Sequence, residues 1–252
     1  MTLNIASLAA LVCLVCALND ATAATPQLHL MTESSPPISM REGNKVVGSG
    51  TDKVREIMAR TGIAYTLELL PWRRAFTQVQ QEPTACLFST TRTPERENLF
   101  KWVGPTDEGE WLLLGRVDRK FHLQTLEDAR SLRIGTYNGD ARDEYLRARG
   151  FNVDPAPSDK INPRKLLMNR IDVWAASIKP GSTMLKRNGW ENKIVPVLSF
   201  NRVQLYLACN SAVPTELIDK MNAALEAMAR DGTTRRIDRK YEKWVEPASP
   251  KQ

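Results

Sequence analysis

The chain has 252 residues, with 35 Lys and Arg against 29 Asp and Glu and a formal net charge of +6. The bases are scattered among acids and no run of five or six occurs, which argues against a nucleic-acid-binding role. His29 and His122 are the only histidines, and neither they nor Cys86 and Cys209 stand at metal-ligand spacing, so no zinc or iron site is expected.

Residues Ile5 to Leu18 form an apolar run of signal-peptide length, too short to span a bilayer comfortably and followed at once by Asn19-Asp20. Ala21-Thr22-Ala23 supplies a small-x-small pattern, so residues 1–23 read as a signal peptide cleaved after Ala23. Met1 to Ser7 carries no Lys or Arg, which is unusual for the class; the alternative is a buried N-terminal helix. Val12 and Val15 precede Cys13 and Cys16, where a lipid anchor needs a small residue, so no anchor is expected. Removing residues 1–23 takes away Asp20 and no base, leaving 35 bases against 28 acids, a net +7. Such a surface favours anionic ligands and encounter with an acidic partner. Cys86 and Cys209 remain, either paired in an oxidising compartment or as two small buried residues.

The mature chain alternates short β-type runs with amphipathic helical segments, the pattern of an α/β fold with mostly parallel sheets. Gln27 to Thr32 reads as a strand ending at Ser34-Ser35-Pro36-Pro37. Gly48-Ser49-Gly50 reads as a turn before a helix over Thr51 to Arg60, with Val54, Ile57 and Met58 on one face and Gly62 closing it. Ala64 to Leu70 is a strand, and Pro71 sits in the first turn of a helix carrying Ala75, Phe76 and Val79. Ala85 to Phe88 is a strand, and Pro94 starts a short helix through Phe100. After the apolar run Trp111 to Leu114, Thr125 and Asp128 make a capping-box-like start. Leu132 to Gly135 is a strand, Asp140 to Arg149 a helix, and Asn162-Pro163 the N-cap and first turn of a helix through Arg170. Asp172 to Ala176, Ile194 to Val197 and Gln204 to Cys209 are three further strands. Two helices close the chain, Thr215 to Arg230 and Thr233 to Trp244, separated by Asp231-Gly232. No P-loop, dinucleotide fingerprint or G-x-S-x-G is present, and no carboxylate pair stands out by spacing.

Thr90 through Pro105 (TTRTPERENLFKWVGP) resembles the T-x-T-P-E-R-x-x-x-F-x-x-x-x-P stretch of the extracellular solute-binding proteins of family 3, the amino-acid type of ABC-transporter receptor. Weaker likenesses follow in family order: Pro36-Pro37-Ile38, Gly48 through Lys53, Leu132 to Gly139, Asn169 to Asp172, and Asp231 through Trp244. Leu70 to Ala75 with Arg92-Thr93 resembles a subgroup of periplasmic binding proteins not all tied to a transporter. The resemblance implies the α/β, two-lobed type II periplasmic-binding-protein fold, each lobe a mostly parallel sheet flanked by helices, joined by two crossing strands. Residues 24–113 and 203–252 would form lobe 1 and 116–200 lobe 2, with the hinge near 114–116 and 200–202.

The implied ligand set begins with Arg96, the position of the family arginine that grips a ligand carboxylate. The rival reading pairs Arg96 with Glu95 or Glu97 on the surface. Ser89 and Thr91 match hydroxyl- and backbone-contributing positions of the same loop. Arg92 meets either a second anionic group or solvent, and Trp72 is either an aromatic wall or core packing. Glu33 is an ammonium acceptor or a solvated acid, and Gly139 to Ala141 open a helix whose N–H groups favour an anion. Three departures bear on the ligand: Ser177 replaces the usual Asp for an α-ammonium, Asp140 replaces a small hydroxyl residue, and Ser35 replaces an aromatic. The expectation is therefore a periplasmic, monomeric receptor without cofactor or catalytic residues. It takes a small polar, carboxylate-bearing ligand by hinge closure and serves an inner-membrane permease or a sensor. The alternative is an exported enzyme on the same fold, such as a cyclohexadienyl-type dehydratase, with Asp140 or Glu33 moving the proton.

Overall fold

A computed structural model describes residues 27–177 and 184–244; the expected signal peptide, with Cys13 and Cys16, lies outside them. The first strand, β1 (Leu28–Thr32), is buried on both faces and leads to a small hairpin of β2 (Met40–Glu42) and β3 (Lys45–Val47). Gly48 then turns the chain at φ 133°, where a Cβ would stand 2.2 Å from the Ile38 carbonyl oxygen, so only glycine fits. Helix α1 (Ser49–Thr61) follows and ends on left-handed Gly62, whose N–H bonds the Met58 carbonyl. Next come β4 (Tyr65–Leu69) and α2 (Trp72–Gln81), with Pro71 capping α2 rather than lying within its first turn.

Strand β5 (Ala85–Thr91) runs three residues beyond its expected end, because Thr90 and Thr91 pair with Tyr206 and Leu205 of a distant strand. The short helix after Pro94 is a 3-10 turn, Pro94–Leu99. Strand β6 (Lys101–Arg116) takes in far more than the apolar run at its end. Thr125 and Asp128 form a reciprocal capping box on the 3-10 turn Leu126–Ala129. Then follow β7 (Ile134–Tyr137), α3 (Ala141–Ala148), β8 (Val153–Ala156) and α4 (Asn162–Leu167). Asn162 lies inside α4 and does not cap it: its buried amide donates to the Thr136 carbonyl and to Asp159. The chain closes with β9 (Val173–Ala176), α5 (Met184–Arg187), β10 (Ile194–Cys209), α6 (Thr215–Arg230) and α7 (Thr233–Glu242). The two strands expected at Ile194 to Val197 and Gln204 to Cys209 are thus one, bent by three register shifts that hid its continuity.

One eight-stranded sheet has the order β4-β1-β5-β10-β6-β9-β7-β8. At one end β4, β1 and β5 form a parallel trio, and at the other β9, β7 and β8 form a second. Between them β6 and β10 pair antiparallel from Lys101↔Cys209 to Arg116↔Ile194. Strand β6 carries the chain from the first trio to the second, and β10 brings it back.

Alternation along the strands feeds a hydrophobic cluster on each sheet face at each end. Leu28 and Leu30 of β1 pack with α1 and α6 residues such as Ile57 and Met221, while Met31 points to α2 with Ala75 and Val79. Likewise Leu113 joins Ile134 and Leu146, while Leu114 joins Leu166 and Trp174. Fully buried Cys86 and Cys209 are disulfide-bonded, joining β5 to the returning end of β10.

Candidate functional site

The ends of β1, β5 and β9 and the starts of α2 and α3 converge on a cavity of about 120 Å³. Seven sequence-nominated residues line it: Glu33, Trp72, Ser89, Thr91, Arg96, Asp140 and Ser177. Glu33 follows β1 directly and Trp72 opens α2, while Ser89 lies in β5 with a positive φ of 59°. A non-glycine residue held there stores local strain, a cost that clusters at functional positions. Ser177, just past β9, is exposed at the cavity edge.

Gly139 does not line the cavity but accepts bonds from two residues that do. Its carbonyl oxygen takes the Trp72 Nε1–H at 2.7 Å and an Arg96 Nη2–H at 3.2 Å. Arg92 points elsewhere: its guanidinium donates twice to Glu97, at 2.7 and 2.5 Å, and lies over the Trp102 and Tyr206 rings. It lines a separate groove of about 1340 Å³ along β6 and β10.

Arg96 is 1% exposed, and neither of its sequence neighbours is its partner. Glu95 pairs with Arg149 and Glu97 with Arg92, while Arg96 Nε donates to Glu144 of α3 at 2.7 Å. Its guanidinium also packs against Trp72 and Phe76, 5.4 and 4.6 Å from the ring centroids.

The first turn of α3 is filled by the chain's own acids rather than left open for an anion. Asp140 caps it, accepting the Arg142 backbone N–H at 2.9 Å, and Asp143 accepts from Gly139 N–H and Thr136 Oγ1. Arg142, buried and absent from the sequence reading, lines the cavity and donates to Asp140 at 2.6 Å and Asp159 at 3.2 Å. Its Nη1 donates to the Ala175 carbonyl at 3.3 Å. Burial alone raises the Asp140 pKa, but the charge and hydrogen bonds of Arg142 outweigh it and hold the carboxylate below its ordinary range. Burial likewise lowers Arg142, and Asp140 with Asp159 overturns that to a net rise.

Glu33 stands differently. Tyr137 Oη of β7 donates to its Oε1 at 2.9 Å. Burial raises the Glu33 pKa to about 7, the Tyr137 bond opposes that, and the Asp140 charge adds to it. Tyr137 is itself raised, by burial and then by Glu33. The sequence reading also missed Trp111, Phe88 and Thr32, which supply apolar and hydroxyl walls. The signal for Arg142 was its position two residues after an N-cap Asp; for Trp111 it was its place at the head of an apolar run.

The bacterial extracellular solute-binding proteins, family 3, match over residues 28–244, and the chain belongs to that family. Its fold is the α/β type II periplasmic-binding-protein fold. A histidine kinase sensor domain similar to periplasmic binding proteins superposes with a TM-score of 0.77 at 20% identity, covering 88% of this chain and 98% of that one. The arginine-, lysine-, histidine-binding protein ArtJ from Geobacillus stearothermophilus gives 0.72 at 17% identity, covering 88% and 97%. An ancestral amino acid-binding protein, a precursor of cyclohexadienyl dehydratase, gives 0.69 at 17% identity, covering 86% and 95%. No curated protein matches the sequence. Among the described residues, no helix is long and apolar enough to cross a membrane.

Proposed function

We propose that this protein is a periplasmic receptor that captures a small polar, amino-acid-like solute by hinge closure and delivers it to a permease or a sensor. The observation that carries this reading is the cavity itself. Glu33, Trp72, Ser89 and Arg96 come from the first end of the sheet, and Asp140, Arg142 and Ser177 from the second. A ligand there touches both ends at once, which is the requirement for closure to be coupled to binding. Lobe 1 is then residues 24–113 and 203–252 and lobe 2 residues 116–200, with β6 and β10 as the crossings, except that Leu112 and Leu113 pair with Ala176 and Ala175 of β9 and so go with lobe 2. The cavity is smaller than a drug-sized pocket, consistent with a small metabolite.

The test is thermal-shift screening of the mature chain against amino acids, amines, short peptides and organic acids. A ligand of the folded state raises the melting temperature, and Ser177→Trp, which fills the cavity edge, removes that rise. A ligand that shifts Ser177→Trp as far as the natural protein would place binding elsewhere.

A second reading, an exported dehydratase on the same fold, draws on Glu33, a carboxyl near neutrality that suits proton transfer. Product formation from cyclohexadienyl acids, lost in Glu33→Gln, decides for it; retention of ligand without turnover decides for the receptor.

A further inference from the structure

Both guanidinium groups in the cavity wall are already engaged by the protein. The Nε–Nη2 edge of Arg96 is the edge that makes two parallel bonds to a carboxylate. Here Nε donates to Glu144 at 2.7 Å and Nη2 to the Gly139 carbonyl at 3.2 Å. With Arg96 1% exposed between Trp72 and Phe76, the guanidinium has little room to turn another edge to a ligand. Arg142 uses Nε on Asp140, Nη2 on Asp159 and Nη1 on the Ala175 carbonyl. Glu33, by contrast, faces the Tyr137 hydroxyl rather than a cation. Three carboxylates, those of Asp140, Glu144 and Asp159, thus take up the two guanidinium groups, while the Glu33 carboxylate lines the cavity without a guanidinium partner among these bonds.

We infer that Glu144 is a specificity-determining residue: it takes the place of a ligand carboxylate on Arg96, so that the site selects small organic amines over the amino acids that carry the same side chain. The inference rests on the cavity being the ligand site. A primary ammonium finds the Glu33 carboxylate, which lines the cavity and is bonded there by the Tyr137 hydroxyl rather than by a guanidinium. An α-carboxylate on the same molecule meets an occupied Arg96 and the nearby Asp140 and Glu144 charges. Specificity here comes from the repulsive element as much as from the attractive one.

The experiment measures affinities by titration calorimetry for three matched pairs: putrescine and L-ornithine, agmatine and L-arginine, histamine and L-histidine. The natural protein should bind the amine of at least one pair at least tenfold more tightly than its amino acid. Glu144→Gln should shift that ratio at least tenfold toward the amino acid. Should Glu144→Gln fold poorly, with Arg96 left without its carboxylate, the double variant Arg96→Met/Glu144→Gln removes both charges and should keep amine binding without gaining the acid. A ratio unmoved by Glu144→Gln, a natural protein that requires the carboxylate, or no binding of any pair by either protein overturns the inference. A ligand from the wider panel that Ser177→Trp abolishes and Glu144→Gln leaves untouched sinks the Glu144 role while keeping the receptor. Binding unaffected by Ser177→Trp sinks the cavity reading itself.

Discussion

Replacing Glu33 by Gln should stabilise the protein, and only above acid pH. The Glu33 carboxyl is moved from an ordinary 4.5 to about 7, chiefly by burial, with the Tyr137 hydrogen bond opposing the rise. A displacement of that size corresponds to about 3 kcal/mol between the two protonation states. The sign follows from proton linkage. Below pH 4.5 the carboxyl is protonated in both the folded and the unfolded chain, and its burial brings no pH-dependent cost. Between 4.5 and 7 the folded chain holds the proton and the unfolded chain does not, so stability falls as pH rises; above about 7 the loss is complete. Gln keeps an oxygen for the Tyr137 hydroxyl and never ionises. Urea unfolding of both proteins from pH 4.5 to 9 is the assay. The Glu33→Gln advantage should be near zero at pH 4.5, grow through pH 6, and level off near 3 kcal/mol by pH 8. Parallel stability curves across that range would refute the argument that Glu33 is desolvated without a cation beside it.

Two further substitutions probe the scaffold. The Cys86–Cys209 bond closes a loop with a sequence separation of 123, for which the chain-entropy relation gives about 5 kcal/mol; Cys86→Ala/Cys209→Ala should lose several kcal/mol in urea unfolding, and a loss under about 1 kcal/mol would show the bond to be dispensable. Lys53 of α1 is 2% exposed, with its ammonium 2.6 Å from half-exposed Asp238 and 2.9 Å from the Thr106 carbonyl. Asp238→Asn leaves that buried cation without its counter-charge and should cost about 3 kcal/mol, whereas Lys53→Met should stay within about 1 kcal/mol of the natural protein. The reverse order in equilibrium unfolding would contradict the desolvation argument.

How far the sequence disclosed this molecule depends on how local the deciding interaction is. Helix α6 was legible to the residue, Thr215 to Arg230, because its apolar spacing and the Asp231-Gly232 stop lie within the segment. The Thr125–Asp128 capping box was legible for the same reason. Strands β6 and β10 were not: Glu108-Gly109-Glu110 has no strand composition, and those residues pair with Gln204, Val203 and Arg202 across the sheet. The residue types of the cavity were legible through the family pattern, but their partners were not. Arg96 lies next to two acids in sequence and uses a third, 48 residues away. Glu33 and Tyr137 are 104 residues apart. Charge pairing in a cleft between two sheet ends is set by the fold, and no window of sequence contains it.

That placement also indicates which contacts govern the cleft. Among the described residues, the bonds from the first end of the sheet to the second reach one short stretch, β7 through the end of α3: Glu33 to Tyr137, Trp72 and Arg96 to Gly139, Arg96 to Glu144, and Glu95 to Arg149. Of these, the Glu95–Arg149 pair lies at the rim, with side chains 28% and 38% exposed, where an ion pair contributes little. Arg96–Glu144 and Glu33–Tyr137 are deeper, so their energies depend on whether water can reach them. If the two ends part, Arg96 and Glu33 gain water in place of Glu144 and Tyr137, and neither is left as a stranded buried charge. The cost of opening is then small on both sides of the balance, which is the condition under which a ligand worth a few kcal/mol can decide between open and closed forms. In the proposed closing motion a cation beside Glu33 would tip that balance directly, because it supplies a counter-charge to a buried carboxylate that Tyr137 bonds without charge.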